Sequence, residues 1–252
     1  MKKVLLATIG LAAMGMVAPA FAADLPARTY SKAPAIVAPV YDWSGFYVGL
    51  NGGGASSHNC WSIIDSAGCH DATGGLVGGQ VGYRWQMTNW VFGLEAQGDW
   101  TNLKGSNISA FGTFGGQPFL NQTKIDGIGL LTGQVGYAWN NVLWYGKGGA
   151  ALTHDTYSGI GQVAEPGFPV GSAFDQASET RWGGVVGTGI EFGFAPNWSV
   201  AVEYDHLFMG TKSLNFATPA GVVERTNNVK QDVDIGTVRV NYRFGGPVVA
   251  RF

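Results

Sequence analysis

The stretch of sequence that decides the fold is Val238-Arg239-Val240-Asn241-Tyr242-Arg243-Phe244. Apolar side chains occupy its even positions, and polar or charged side chains occupy its odd positions. Successive side chains of a β-strand point to opposite faces, so this strand has one apolar and one charged face. In a soluble sandwich the apolar face would pack on a second sheet. In a membrane barrel it would contact lipid, and the charged face would line the lumen.

The N-terminal segment indicates export. A Lys2-Lys3 pair precedes an uncharged run over residues 4–17, and Ala20-Phe21-Ala22 is a small-x-small cleavage site. These features are typical of a signal peptide over residues 1–22, with Ala23 as the new N-terminus. The apolar run is too short to span a bilayer as a helix. We therefore expect an exported protein.

Composition narrows the functional class. The chain of 252 residues has 15 basic and 17 acidic residues, without the clustered basic face that nucleic-acid binding requires. No segment after the signal peptide is long and apolar enough for a membrane helix, so any insertion must use strands. Residues 23–41 combine prolines with small residues and are predicted to be a flexible periplasmic lead-in. The predicted barrel domain follows over residues 42–252.

The alternating pattern recurs in eight segments, the first starting near Gly45 and the last ending at Phe244. Eight such segments predict an all-β fold, an eight-stranded antiparallel up-and-down transmembrane β-barrel. In the fourth segment the parity places Ile125 on the lipid face and Asp126 on the lumen face.

The eighth segment contains a break in the alternation. Val233 and Ile235 have the opposite parity to Val238 and Val240. A β-bulge near Gly236 would add one residue and bring all four apolar side chains to the lipid face.

The connections alternate strictly between short and long. The tight turns lie at residues 86–89, 140–141 and 195–197. The long polar connections lie near residues 55–72, 102–122, 156–178 and 210–229. This asymmetry is typical of outer-membrane barrels, which have short periplasmic turns and long extracellular loops.

Tryptophan positions predict an aromatic girdle at each membrane interface. The girdle residues are Trp85, Trp90, Trp100, Trp139, Trp144, Trp182 and Trp198. Trp90 and Trp100 lie ten residues apart in one predicted strand, or about 33 Å at ~3.3 Å per residue. At a tilt of ~40° this length covers roughly 25 Å, the expected height of the apolar band.

Charged side chains of the opposite parity are predicted to line the lumen. They are Arg84, Glu95, Asp99, Asp126, Lys147, Asp155, Arg181, Glu191, Glu203, Asp205, Arg239 and Arg243. An eight-stranded barrel is just wide enough for side chains to fill, so these charges should pair into a plug. The alternative is a narrow or gated aqueous path in which one pair breaks and re-forms.

Two cysteines lie in the first long connection. Cys60 and Cys69 are the only cysteines, and an oxidising envelope favours a disulfide between them. His58 and His70 flank them, so a zinc or haem site is the alternative. We predict the disulfide, with no metal and no cofactor.

Two adjacent pairs, His154-Asp155 and Asp205-His206, contain the residue types of a catalytic dyad. A dyad needs both side chains within hydrogen-bond reach. Neighbours on a strand point to opposite faces, which separates each pair. We therefore predict no catalytic residues and no enzymatic activity.

The two ends of the predicted barrel carry a family resemblance. Asp42-Trp43-Ser44-Gly45-Phe46-Tyr47-Val48-Gly49 and Val240-Asn241-Tyr242-Arg243-Phe244-Gly245-Gly246-Pro247-Val248-Val249-Ala250-Arg251-Phe252 resemble the small outer-membrane porin-family proteins of alphaproteobacteria. These are relatives of the OmpA membrane domain and the opacity proteins. The resemblance implies a surface-exposed outer-membrane protein, inserted by the barrel-assembly machinery through a C-terminal aromatic signal at Phe244 or Phe252.

The expected function is mainly structural, with at most weak porin-like solute passage. Outer-membrane lipid and lipopolysaccharide are the expected partners. Some members of the resembling family bind haem or act as adhesins through their loops. A surface-loop binder of haem or of a host molecule is therefore the alternative function.

Overall fold

The computed structural model describes residues 41–62, 66–109, 113 and 115–245. The predicted signal peptide, nearly all of the lead-in and Phe252 lie outside these residues. The strands are β1 Gly45–Ser62, β2 Ser66–Met87, β3 Trp90–Ile108, β4 Leu120–Trp139, β5 Val142–Ile160, β6 Ala173–Ala195, β7 Trp198–Ala217 and β8 Val223–Phe244.

The eight strands form one closed barrel. Each strand pairs antiparallel with its neighbours in the chain, and β8 pairs with β1 to close the sheet. This confirms the eight-stranded up-and-down barrel expected from the alternation. The described residues contain no helix long and apolar enough to cross a membrane, a test that does not address strands.

The strands are longer than the membrane requires. They contain 18 to 23 residues, whereas about 9–11 residues of a tilted strand cross a bilayer. The expectation of long loops was wrong in this respect: β1 and β2 are separated by residues 63–65 alone, so most of the segment 55–72 is strand. Beyond the bilayer the outer face of a strand carries polar residues, so the contrast between an apolar and a polar face disappears while the inward face stays buried and the backbone ladder continues.

The short turns agree with their sequence signatures. Two-residue connections join β2 to β3 and β4 to β5, and they contain the left-handed residues Thr88 (φ 57°) and Asn140 (φ 53°). Such turns match the right-handed twist of the flanking strands. Asparagine tolerates this conformation better than most residues.

The predicted bulge near Gly236 is absent, because β8 pairs with β1 through this region without a shift of register. Val233 and Ile235 instead point inward and are 0% and 1% exposed. The prediction failed because it assumed that every apolar face contacts lipid, whereas the lumen at this height is itself apolar.

The predicted orientation of side chains in the fourth strand was also partly wrong. Ile125 is completely buried inside the barrel, not on the lipid face. An irregularity between Ile125 and Gly127 shifts the register of β4 against β5. As a result Asp126, predicted to line the lumen, lies at the surface and pairs with Lys124 at 2.5 Å.

The orientation of β8 can be tested by cysteine labelling of the folded protein. In Ile235→Cys the thiol should resist a water-soluble maleimide, because position 235 is buried in the lumen. In Asp234→Cys the neighbouring thiol should react, since the Asp234 side chain is half exposed. Both variants should react fully after unfolding in urea. Faster labelling at position 235 than at 234 in the folded state would contradict this register.

Candidate functional site

The centre of the lumen contains a cluster of five charged side chains from four strands. Arg239 of β8 donates hydrogen bonds to the carboxylates of Glu95 and Glu203. Lys147 of β5 lies 2.7 Å from Glu203, 3.1 Å from Asp205 and 3.7 Å from Glu95. All five side chains are almost completely excluded from solvent. We call this group the central charge cluster.

Two tyrosines fix the carboxylates of this cluster. Tyr47 donates its hydroxyl hydrogen to Glu95 at 2.6 Å, and Tyr145 donates to Glu203 at the same distance. Each carboxylate therefore accepts bonds from both a cation and a neutral hydroxyl group. Pairing of this kind is what allows ionised groups to remain buried.

A second ion pair lies nearer the periplasmic turns. Arg84 of β2 contacts Glu191 of β6 at 2.8 Å, and its guanidinium lies 4.5 Å from the centre of the Tyr47 ring. Glu191 also accepts hydrogen bonds from Ser199 and from Asn241. The pair connects opposite walls of the barrel, because β2 and β6 are not neighbours in the sheet.

The residues just before β1 close the periplasmic end. Trp43 is buried, and its ring lies 4.5 Å from that of Tyr41. Arg243 donates to the backbone oxygens of Ser44 and Pro196, at 3.1 and 3.0 Å. The cavity bordered by these aromatic rings is only about 10 Å³. The alternation rule could not assign this role, because the segment lies outside any strand.

An apolar layer lies on the outer side of the central charge cluster. Its members are Ala55, Ala72, Leu76, Leu103, Ile125, Ile128, Leu130, Ala151, Val185, Leu207, Met209, Val233 and Ile235. All are buried, and they come from every strand of the barrel. The layer therefore crosses the whole lumen and separates the charges from the extracellular end.

Further out, aromatic and charged side chains mix. Trp61, Tyr157 and Phe216 pack together, with the guanidinium of Arg225 4.4 Å from the centre of the Phe216 ring. Arg225 also pairs with Asp175 at 2.5 Å. Sequence reasoning missed this ion pair, because both residues fall in segments that it treated as loops.

Of the twelve charges predicted for the lumen, all except Asp126 are buried within the barrel. Asp99 accepts a hydrogen bond from Gln97 at 2.8 Å, and Asp155 accepts bonds from Thr153 and Gln231. Arg181 is buried without a carboxylate within 4 Å among the described residues.

The outer surface is apolar at the height of the central charge cluster. The seven tryptophans expected to form girdles are all exposed, from 44% at Trp198 to 76% at Trp100. Such exposure would be unfavourable in water, but it suits the lipid and interfacial environment of a membrane barrel.

Comparison with known proteins identifies the family. The sequence profile described as "Outer membrane protein beta-barrel domain" matches residues 8–244. This chain belongs to that family. The 31 kDa outer-membrane immunogenic protein of Brucella melitensis is 31% identical over 260 residues, 97% of this chain and 100% of the relative. The 22 kDa outer membrane protein of Rhizobium leguminosarum is 31% identical over 170 residues, 67% of this chain and 65% of the relative.

Solved structures agree on the architecture. The outer membrane protease OmpT of Escherichia coli superimposes with a TM-score of 0.52 at 9% identity, covering 79% of this chain and 97% of that chain. At this identity the likeness shows the fold alone. The family match and the outer-membrane relatives locate the protein in the outer membrane, as the sequence patterns predict.

Cys60 and Cys69 form the predicted disulfide, and the side chains of the two flanking histidines point in different directions. Cys60 and Cys69 are directly opposed on β1 and β2 and are bonded. His58 is exposed and contacts Asp71 at 2.7 Å, while His70 points inward and its Nε2 lies 3.0 Å from Thr123. Burial lowers the pKa of His70, which lies in the extracellular extension of β2. The two imidazoles therefore cannot hold one metal or haem between them.

Neither adjacent dyad is assembled. His154 is exposed while Asp155 is buried, and Asp205 points to Lys147 while His206 points outward. His206 instead contacts Asp234 across the β7–β8 pair at 2.6 Å. The sequence analysis did not predict this contact, because it placed a bulge in β8. The pairing of His206 with Asp234 depends on the register of β8 against β7.

Replacing Arg239 tests the central charge cluster. Arg239→Met leaves Glu95 and Glu203 without their main cation, so we expect a loss of about 3–5 kcal/mol in the free energy of unfolding. Lys124→Met is the matched control, since it breaks a surface pair and should cost less than about 1 kcal/mol. Urea unfolding in lipid vesicles, followed by tryptophan fluorescence, measures both. Equal losses in the two variants would contradict a structural role for the cluster.

Proposed function

We propose that this protein is mainly a structural component of the outer membrane, with a closed lumen that permits at most weak solute passage. The observation that carries the proposal is the apolar layer next to the central charge cluster. Together they occupy the lumen at two successive heights.

The two barriers oppose ions in different ways. In the cluster, an ion would have to displace carboxylates that already bind Arg239 and Lys147. In the apolar layer it would lose its water without gaining any polar contact, and an isolated ion in such surroundings is strongly unfavourable. An aqueous path would require both barriers to rearrange together.

The outside of the barrel supports a role in the envelope. Exposed apolar side chains contact lipid, and the strands continue beyond the bilayer as a paired sheet. We expect outer-membrane lipid and lipopolysaccharide as partners, and the barrel-assembly machinery during insertion. Phe244 is the outward-facing end of β8 and packs on Phe46 at 5.7 Å, which suits the aromatic assembly signal.

Other functional classes have less support. A catalytic role would need a converging dyad in a cleft. The adjacent His and Asp residues of β5 and β7 point to opposite faces, and the pair that does converge, His206 with Asp234, lies on the outer surface of the barrel. Haem binding by His58 and His70 is disfavoured for the same geometric reason. We therefore infer that the protein is not an enzyme.

Planar-bilayer recording tests the closed lumen. The wild-type protein should give no stable open level. The triple variant Lys147→Ala/Leu207→Ala/Ile235→Ala should give small current steps, because it removes bulk from the apolar layer on β7 and β8 and a cation from the central charge cluster. Val202→Ala/Val238→Ala is the matched control on the same strands, since both side chains face lipid, and it should remain silent.

Heat-modifiable migration on a mild-detergent gel must show that each preparation is folded. A stable, ion-selective open level of the folded wild-type protein would overturn the proposal in favour of a porin.

A further inference from the structure

The backbone pairing between β6 and β7 is interrupted over a long stretch. Residues 177–183 of β6 and 209–216 of β7 form no pairs with each other, although paired positions lie on both sides of the gap. Over the same height β6 stays paired with β5, and β7 with β8. Only the facing edges of these two strands are therefore open. We call this gap the β6–β7 seam.

A buried cation that no carboxylate of the described residues contacts lies behind the seam. Arg181 is 1% exposed, and its Nη1 donates to the backbone oxygens of Val229 (3.1 Å) and Gly210 (3.5 Å). Its Nε and Nη2 have no hydrogen-bond partner. These two nitrogens form one edge of the guanidinium, the edge that binds a carboxylate or phosphate through two parallel hydrogen bonds.

The other lumen cations differ from Arg181 in this respect. Each has a carboxylate within 4 Å among the described residues: Arg84, Lys147, Arg225, Arg239 and Arg243. A buried charge without a partner is strongly unfavourable. An acidic ligand at the free edge of Arg181 would remove this cost.

The surroundings of the seam indicate the kind of ligand. Trp182 and Phe208 flank its membrane-facing end on the outer surface and are 68% and 52% exposed. A cavity of about 310 Å³, lined by residues including Asp175, Gln176 and Ala217 but not by Arg181, lies at its extracellular end. Apolar contacts are thus available on the lipid side, and a free cation lies within.

Charge in the seam also favours an anion. Glu179 of β6 is the acidic side chain nearest along the strand, and it forms an ion pair with Lys212 across the seam. This pair neutralises itself, so the charge of Arg181 remains available. Asp155, on the neighbouring β5, attracts Arg181 without contacting it, and its oxygens accept hydrogen bonds from Thr153 and Gln231, so it does not occupy the free edge of the guanidinium.

We propose that the β6–β7 seam binds an outer-leaflet lipid with a phosphate headgroup. The headgroup enters between the two strands and accepts hydrogen bonds from Nε and Nη2 of Arg181. The acyl chain stays outside, against Trp182 and Phe208. This site goes beyond the structural role proposed above and does not depend on whether the lumen conducts.

Titration of the full-length barrel in dodecyl maltoside, a neutral detergent, tests the proposal with dodecyl phosphate as the probe. Calorimetry should show one bound molecule per wild-type barrel. Arg181→Met should bind at least about tenfold more weakly, because two charge-assisted hydrogen bonds are lost. Arg181→Lys should fall between the two, since it keeps the charge without the planar fork. Lys230→Met, which removes an exposed cation of β8 and leaves the Lys212–Glu179 pair intact, should change affinity less than about threefold.

Stability separates a ligand-binding Arg181 from a merely structural one. In neutral detergent alone, Arg181→Met should unfold at the same or a higher urea concentration than the wild type, because it removes an unpaired charge. Dodecyl phosphate should then raise the urea midpoint of the wild type but not that of the variant.

Several results would overturn the proposal. Failure of both Arg181 variants to fold, or a lower urea midpoint without ligand, would show that the cation is structural. Equal binding by wild type and Arg181→Met would remove Arg181 from the site. Inorganic phosphate binding as tightly as dodecyl phosphate would assign the site to a soluble anion, not to a lipid.

Discussion

The interior of an eight-stranded barrel has little room for bulk water, so inward charges are stabilised mainly by partners from other strands, with Arg181 as the exception. The central charge cluster meets this condition by joining Glu95 of β3, Lys147 of β5, Glu203 of β7 and Arg239 of β8. These contacts run across the lumen, at right angles to the backbone ladder. The ladder fixes the order of the strands, and the cluster holds the opposite walls together.

The apolar layer depends on the same narrowness. Outside the charge clusters, apolar side chains from every strand, most of them large and aliphatic, fill the lumen as in the core of a soluble protein. The barrel thus has two environments for apolar residues, lipid outside and a packed layer inside. Parity alone distinguishes them only when the register of the strand is known.

The two apolar environments explain which features could be predicted from the sequence. The alternation gave the eight strands, and it identified Glu95, Glu203 and Arg239 as inward-facing, because near the charge cluster one face is polar and the other apolar. It failed at Ile125, Val233 and Ile235, because these residues belong to the apolar layer. An apolar side chain there faces the lumen and not the lipid. The ion partners were unpredictable, since they join distant strands and depend on barrel diameter and stagger. Arg225 with Asp175 was missed because neither lies in a segment with visible alternation.

The closure of β1 on β8 has a consequence for biogenesis. Residues 46–62 pair with residues 228–244, so nearly the whole chain separates the two partners. A polypeptide made from its N-terminus must therefore carry β1 with one edge unpaired until its last strand has been synthesised and exported. Free edges of this kind recruit strands from other molecules. Holdase chaperones in the periplasm are thus a requirement of this topology, and a nascent chain released before β8 would be a substrate for proteolysis or aggregation.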